Sequence, residues 1–413
     1  MRRYPRSPIG GRLPTHRPTG GDGRAAVYRA RVVNWRAARA ERKLHMLDKA
    51  QKKSRFESIG LYLPERVQST SELMRGLACE PFFDLEELTG IVNRRVCHES
   101  EDSFSLALKA AQNCLRESKY SPKDLEAVIY VSISRFNGKL LAQFDPAMSL
   151  VLKRKLGANQ ALNFDLANAC AGMCTGTHVL DSMIRAGVVK NGMVLSGECI
   201  TPIAAVALQE IRATDPQQVA SLTVGDAATA CILEACPVGE PGIEFTRFVT
   251  AAAFSELCLG LPSDERGGVA MYSDASALHM AAIKRCPRFL EKILGDQGVR
   301  LSDHDFFIPH QTAANAIRVG TEAIARFLED DLPSVVSVIG EYGNTSSTSH
   351  FLALHTAIAD KRIKQGDRVL FLVVASGLVI GAVSFTVSFL EAASANEDHS
   401  DGSLQRARSR RVG

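Results

Sequence analysis

The chain has 413 residues, 46% of them hydrophobic and 23% charged, with a formal net charge of +4. That length and apolar fraction supply a large buried core and exclude disordered, collagenous and fibrous classes. No apolar run reaches the roughly 18–20 residues of a membrane-spanning helix, so neither an integral membrane protein nor a membrane partner is expected.

The charge is unevenly spread. Residues 1–45 hold eleven Arg and one Lys against Asp22 and Glu41. Residues 394–413 hold four Arg against Glu397, Asp398 and Asp401, which leaves 46–393 at −7. Residues 1–55 lack any sustained helical or strand period and are expected to be a disordered basic extension. A nucleic-acid arm would interleave more aromatics than Tyr4, Tyr28 and Trp35 provide for base stacking, so no nucleic-acid partner is expected. An organelle transit peptide is a second account of an Arg-rich, acid-poor start. The favoured one is that Met46 is the true start and the residues before it an over-extended reading frame.

The body begins near residue 56 and alternates apolar strands with amphipathic segments. In chain order the periodicity predicts a helix over 104–118, a strand over 125–132, a helix over 146–156 and a strand over 161–165. A helix with Met173, Thr177, Leu180 and Ile184 on one face follows, ending near Gly187. Strands over 193–196 and 228–233 close a first half, 56–240. The pattern recurs in a second half, 241–392, with a strand over 243–250, a helix over 275–294 and a strand over 305–308. Helices over 311–328 and 347–360 and two strands, 368–375 and 379–389, complete it. Short parallel-type strands between helices predict a layered α/β architecture, and the similar order of the halves points to an internal duplication. Several helices look apolar almost all round, as helices held between two sheets would be. A disordered tail is expected over 393–413.

The ten Cys include no CxxC pair and no Cys/His cluster with zinc spacing, so neither a metal nor a cofactor is expected. There is no secretory signal, and scattered Cys in a chain of this kind indicate a reducing cytoplasm. One Cys stands apart. Asn168-Ala169-Cys170-Ala171-Gly172 joins a strand to a helix, so the Cys170 thiol lies at a helix N-terminus that favours thiolate, among neighbours too small to shield it. Ile308-Pro309-His310-Gln311 puts His310 just after a strand, and Gly343-Asn344-Thr345-Ser346 puts Asn344 in a tight turn before a helix. Each alone has a plain structural account, as a core thiol, a satisfied His and a capping Asn. All three follow strands, at the edge where open α/β sheets bind ligands. Ala375-Ser376-Gly377-Leu378, between the last two strands, is either a hairpin turn or a place where a backbone N–H approaches a ligand.

Together these segments resemble the ketoacyl-acyl-carrier-protein synthase III group of the thiolase superfamily over roughly 56–392. Phe164–Gly172, Pro309-His310-Gln311 and Gly343–Ser346 carry most of the likeness. Gly225-Asp226-Ala227, Leu63-Pro64-Glu65 and Thr89-Gly90-Ile91 add to it. The resemblance implies a thiolase-like αβαβα sandwich of two duplicated halves, a homodimer, and acyl-coenzyme A or acyl-carrier protein as partners. It implies that Cys170 takes an acyl group, and that His310 and Asn344 bond the carbonyl of a malonyl-type thioester as carbon dioxide leaves. The backbone N–H groups of Cys170 and Ser376 would form the oxyanion hole. Where the family carries a Trp for the coenzyme A adenine this chain has Asp84. Where it carries an Arg before the Thr, the chain has Leu88, and where an Arg for the carrier protein follows the His-Gln pair, Asn315. These departures, with a long Ile203–Ser221 connection, point to a specialised acyl donor. The alternatives are an acyltransferase or non-decarboxylative condensing enzyme using the same Cys170. A papain-like protease, whose Cys…His…Asn order matches, lacks that family's local signature, and a scaffold subunit has no use for an intact Cys170, His310 and Asn344.

Overall fold

The structure is a computed structural model that describes residues 53–389, apart from 138–140, 143–144, 213–216 and 264–267, with backbone alone at 137, 141 and 142. The expected N-terminal extension up to residue 52, and the tail from 390, lie outside the described residues.

The first half forms a five-stranded sheet from β1 (Lys53–Tyr62), β2 (Ala127–Tyr130), β3 (Leu162–Asp165), β4 (Asn191–Glu198) and β5 (Ala227–Cys236), in the order β1-β5-β4-β2-β3. The second half repeats it with β6 (Ile243–Phe254), β7 (Phe306–Pro309), β8 (Ser334–Val335), β9 (Arg368–Ala375) and β10 (Gly377–Thr386), in the order β6-β10-β9-β7-β8. Strand for strand the two orders are the same, so the duplication read from the sequence is a duplication of topology. The expectation of parallel strands is corrected in part, because both sheets are mixed. β2 runs parallel to β3 and β4, and β7 to β8 and β9, while β5 and β10 are antiparallel to both their neighbours.

Helices fill three layers around the two sheets. α1 (Ser103–Arg116) and α2 (Met148–Leu156) cover the outer face of the first sheet, and α5 (Ala275–Gln297) and α6 (Ala314–Leu328) that of the second. Between the sheets lie α3 (Gly172–Arg185) and α7 (Ser349–Ala359), in one core cluster with strands of both halves. The outer helices are amphipathic for this reason: α1 is fixed by an Asp102–Ser105 capping box and buries Leu106, Ala107, Ala110, Ala111 and Cys114. The central α7 has no solvent face to reserve and buries its run Ser349–Leu354.

Four aromatic rings join the halves at the centre. Phe56 of β1 meets Phe351 of α7 and Phe385 of β10, and Phe371 of β9 meets the same two, all edge-on with centroids 4.9–5.6 Å apart. That geometry suits the ring quadrupoles. The first strand starts at Lys53, earlier than the boundary after 55 expected from composition. Lys53 pairs with Cys236 of β5, the buried Ser54 hydroxyl donates to Asp181 at 2.7 Å, and Arg55 reaches Glu234 at 2.8 Å. A polar segment is thus a strand because its partners stand in other elements. α4 (Pro202–Glu210) occupies the long connection noted in the sequence and packs in a separate cluster beside the hairpin Cys258–Pro262/Val269–Ser273.

Phe351→Ala removes a fully buried ring that touches both halves. It is expected to lower the unfolding free energy by about 3–5 kcal/mol in a urea titration.

Candidate active site

β3 ends at Asp165, whose carboxylate accepts the Met148 and Ser149 N–H groups at 3.0 and 2.9 Å and so ties the start of α2 to the strand. The chain then turns through Ala169–Ala171 into α3. Ala169 holds the left-handed conformation (φ 45°), which costs a non-glycine residue on the order of 1–3 kcal/mol. Gly172 is there because nothing larger fits: a Cβ would lie 2.3 Å from the Val131 carbonyl oxygen and 3.1 Å from Ser347 Cβ. The Cys170 turn is therefore pressed against both halves.

Cys170 is half-buried, and burial pushes its thiol up to about 12, while the Ser346 hydroxyl 3.7 Å from Sγ acts in the opposite direction. The sequence reading placed the thiol where a helix dipole favours thiolate. Burial acts against that preference and favours the neutral thiol.

His310 follows β7 and is 6% exposed. Its N–H donates to the Leu372 carbonyl at 2.9 Å, and its Nδ1 lies 2.9 Å from Ser349 Oγ. Burial, with His350 and His279 as neighbours, lowers its pKa to about 3. The imidazole is neutral throughout the physiological range. His350 stacks on it at 5.6 Å and gives its Nε2–H to the same Leu372 carbonyl at 3.0 Å. The helix expected from 311 begins at Ala314 because Gln311 is committed elsewhere. Its amide donates to the Pro309 carbonyl at 2.7 Å and accepts from the Val338 N–H at 2.9 Å.

Asn344 is held by its backbone, with N–H to Thr223 O at 2.9 Å and its carbonyl accepting from Gly225 N–H at 3.1 Å. Gly343 before it needs φ 64°, and a Cβ there would stand 2.7 Å from the Thr223 oxygen. Asn344 Oδ1 accepts the Ser346 N–H at 2.9 Å. With its oxygen engaged, the amide has N–H donors left to offer a ligand.

The segment 344–349 thus reaches all three residues: it contains Asn344, sets Ser346 against Cys170, and sets Ser349 against His310. Ser346 enters the sequence reading only as the end of the Gly343–Ser346 turn and Ser349 not at all, although the hydroxyl run Thr345–Ser349 is visible there. Ser376 lies half-buried in the turn between β9 and β10, next to Ala375, which shares a core cluster with Cys170. β9 and β10 pair up to Ala375↔Val379, so the turn is also the hairpin of its plain account.

Among the described residues one group offers three metal-ligand atoms within 4.8 Å of one another: Cys97, Cys199 and Asp226. The Asp226 oxygens already accept the Ile200, Thr201 and Cys97 N–H groups and the Thr201 hydroxyl at 2.6–2.8 Å. Its lone pairs serve to fasten Cys97 to the turn that starts α4. At the departures, Asp84 caps the short helix Leu85–Thr89 by accepting the Glu87 N–H at 2.9 Å, Leu88 is exposed, and Asn315 accepts from Arg318 at 2.8 Å. Arg318 is also paired with Glu322 at 3.1 Å. No helix among the described residues is long and apolar enough to cross a membrane.

Residues 164–253 match the 3-oxoacyl-[acyl-carrier-protein] synthase III model, and 294–387 match the model of that enzyme's C-terminal domain. A beta-ketoacyl-[acyl-carrier-protein] synthase III from Pasteurella multocida is 28% identical over 337 residues, 80% of this chain and 98% of the relative. The 3-oxoacyl-[acyl-carrier-protein] synthase III of Aquifex aeolicus superposes with a TM-score of 0.68 at 26% identity, over 81% of this chain and 99% of that one. Xanthomonas campestris OleA, at 20% identity and TM-score 0.71 over 81% of this chain and 98% of its own, shares the fold.

Alkylation of Cys170 by iodoacetamide, followed by intact mass, is expected to quicken about tenfold per pH unit from pH 7 to 10 without levelling. An ordinary thiol levels above its pKa of about 8.5. A plateau near that value contradicts the buried thiol.

Proposed function

From a chain whose residues 164–253 and 294–387 match 3-oxoacyl-[acyl-carrier-protein] synthase III models and whose fold is thiolase-like, we infer an acyl-thioester condensing enzyme in which Cys170 carries the acyl group. The observation that supports this reading best is the 344–349 segment, which contacts the thiol and the imidazole while presenting the amide. Acylation transfers an acyl group from a coenzyme A or carrier-protein thioester to Cys170. The Cys170 sulfur gives up its proton and attacks the carbonyl, the oxyanion is met by the Cys170 and Ser376 N–H groups, and the donor C–S bond breaks, its thiolate taking up a proton as it leaves. Splitting the reaction through a covalent thioester replaces one difficult step by two easier ones.

In the second step a malonyl-type thioester loses carbon dioxide. The electron pair of the broken bond moves into an enolate, whose oxygen accepts from His310 and Asn344. A neutral imidazole suits this role: a Ser349 hydroxyl that donates to Nδ1 holds the remaining proton on Nε2, where it faces the oxyanion. The carbanion attacks the acyl carbon, and the Cys170 sulfur leaves to give a 3-oxoacyl thioester. The residues at 84, 88 and 315 favour a specialised donor over acetyl-coenzyme A. The enzyme is proposed to act as a homodimer in the cytoplasm and to use no cofactor or metal.

A panel of acyl thioesters is expected to add a covalent mass to the wild type and none to Cys170→Ala; no adduct with any donor overturns the reading. His310→Ala and Asn344→Ala are expected to load the acyl group as the wild type does but to lose about 10²–10³-fold in malonyl consumption each, the cost of one oxyanion donor. Ser349→Ala frees the imidazole tautomer and is expected to slow condensation, read as kcat, more than loading.

A further inference from the structure

Arg94, in the hairpin Arg66–Ser69/Asn93–Val96, is fully buried. Its partners among the described residues are neutral oxygens. Nη2 donates to Thr70 Oγ1 at 2.9 Å, and Nη1 donates to the Leu222 carbonyl and, at 3.3 Å, to the Val224 carbonyl. Nε has no partner. Thr70 is itself fixed, with its N–H on the Val92 carbonyl at 2.8 Å and its hydroxyl on the Ile91 carbonyl. A guanidinium is rarely taken fully out of water without a counter-charge, because neutral acceptors repay only part of the lost hydration. Arg94 is held at that cost against a segment on which the site depends.

The carbonyl between those of Leu222 and Val224 turns the other way. Thr223 O accepts the Asn344 N–H at 2.9 Å, and the Gly225 N–H donates to the Asn344 carbonyl at 3.1 Å. Residues 222–225 are therefore gripped by Arg94 on one side and grip Asn344 on the other. The fit is close: a Cβ at Gly225 would lie 2.1 Å from the Tyr342 oxygen. We propose that Arg94 is a positioning residue for condensation. By holding the Leu222 and Val224 carbonyls it fixes the two backbone groups on which Asn344 hangs, and so sets where the Asn344 amide meets the enolate oxygen. The proposal rests on the condensing reading above and gives Arg94 no contact with substrate. The rigid fork of a guanidinium spans the segment and Thr70 at once, which the single nitrogen of a Lys does not.

Arg94→Lys and Arg94→Gln are made in the full-length enzyme and again in Asn344→Ala. Loading of Cys170 is followed by intact mass, and malonyl consumption by the loaded enzyme gives kcat and KM. Both changes are expected to leave loading intact and to lower kcat for condensation about 10–10²-fold with little change in KM, Gln more than Lys. In the Asn344→Ala background they are expected to cost less than about twofold, because the amide they would misplace is gone. Thr70→Val keeps the guanidinium but removes one anchor, and is expected to give a smaller kcat loss of the same kind. An equal loss in both backgrounds, or loading that falls in step with condensation, is the mark of a merely structural arginine and overturns the proposal. So does wild-type kcat in the Arg94 variants, or in Thr70→Val if the Arg94 variants do not fold. Asn344→Ala that condenses as the wild type does overturns the condensing reading as well.

Discussion

Glu198 is fully buried at the end of β4, where its carboxyl accepts from the Ile133 and Ser134 N–H groups, the Ser134 hydroxyl and the Ser347 hydroxyl. Burial raises its pKa, and these donors pull it back. A buried carboxyl is tolerated only where its oxygens are bonded, and an unmet partner costs on the order of 1–3 kcal/mol. Three of the donors come from the first half and one from the second. The Ser347 hydroxyl also lies 2.7 Å from Ser196, which lies 2.8 Å from Ser132. The seam between the halves is therefore a chain of hydroxyls ending on one carboxyl, and its geometry is far less forgiving than apolar contact. Ser347 is fixed by that chain, and Ser346, one residue before it, is set against Cys170.

The same dryness that makes the seam costly sets the chemistry. Burial raises the Cys170 thiol and lowers the His310 imidazole, so it favours the uncharged form of both over a thiolate–imidazolium pair. What the site holds instead is a set of neutral donors in a poorly solvated space, and such donors gain most when negative charge forms on a substrate. Ala169 and Ser346, the residue before Cys170 and the one touching its sulfur, are both left-handed without being glycine. The backbone strain of the site is concentrated around the sulfur.

Local pattern explains how much of this was legible. Helices α1, α3 and α5 and strands β2, β9 and β10 announce themselves through period and composition, because one face or both faces of each is apolar. Cys170, His310 and Asn344 were legible since each follows a strand and stands among small or turn-forming residues. Glu198 was not, because a Glu at the end of an apolar strand looks like a solvated end until Ser347, 149 residues away, is seen on it. Ser349 was hidden in the same way behind a 39-residue separation from His310. Lys53–Arg55 read as part of a basic extension, since nothing local reveals that Asp181 and Glu234 await them.

The duplicated topology accounts for a single site built from two halves. β2, β3 and β4 correspond to β7, β8 and β9, and in each sheet these three run parallel. At the C-terminal ends of the first three stand Ser132, Cys170 and Glu198; beyond the second three stand His310, Asn344 and Ser376. Open sheets gather ligands at that edge, and two sheets packed with their central helices between them bring the two edges to one place. The turn before α3 carries Cys170, and the matching turn before α7 carries Asn344 and the hydroxyl that meets the sulfur. The copies have thus diverged in charge and chemistry while keeping one backbone plan. One half supplies the sulfur and the buried carboxyl, and the other supplies the imidazole, the amide and the hydroxyls, the division of labour on which the proposed condensation rests.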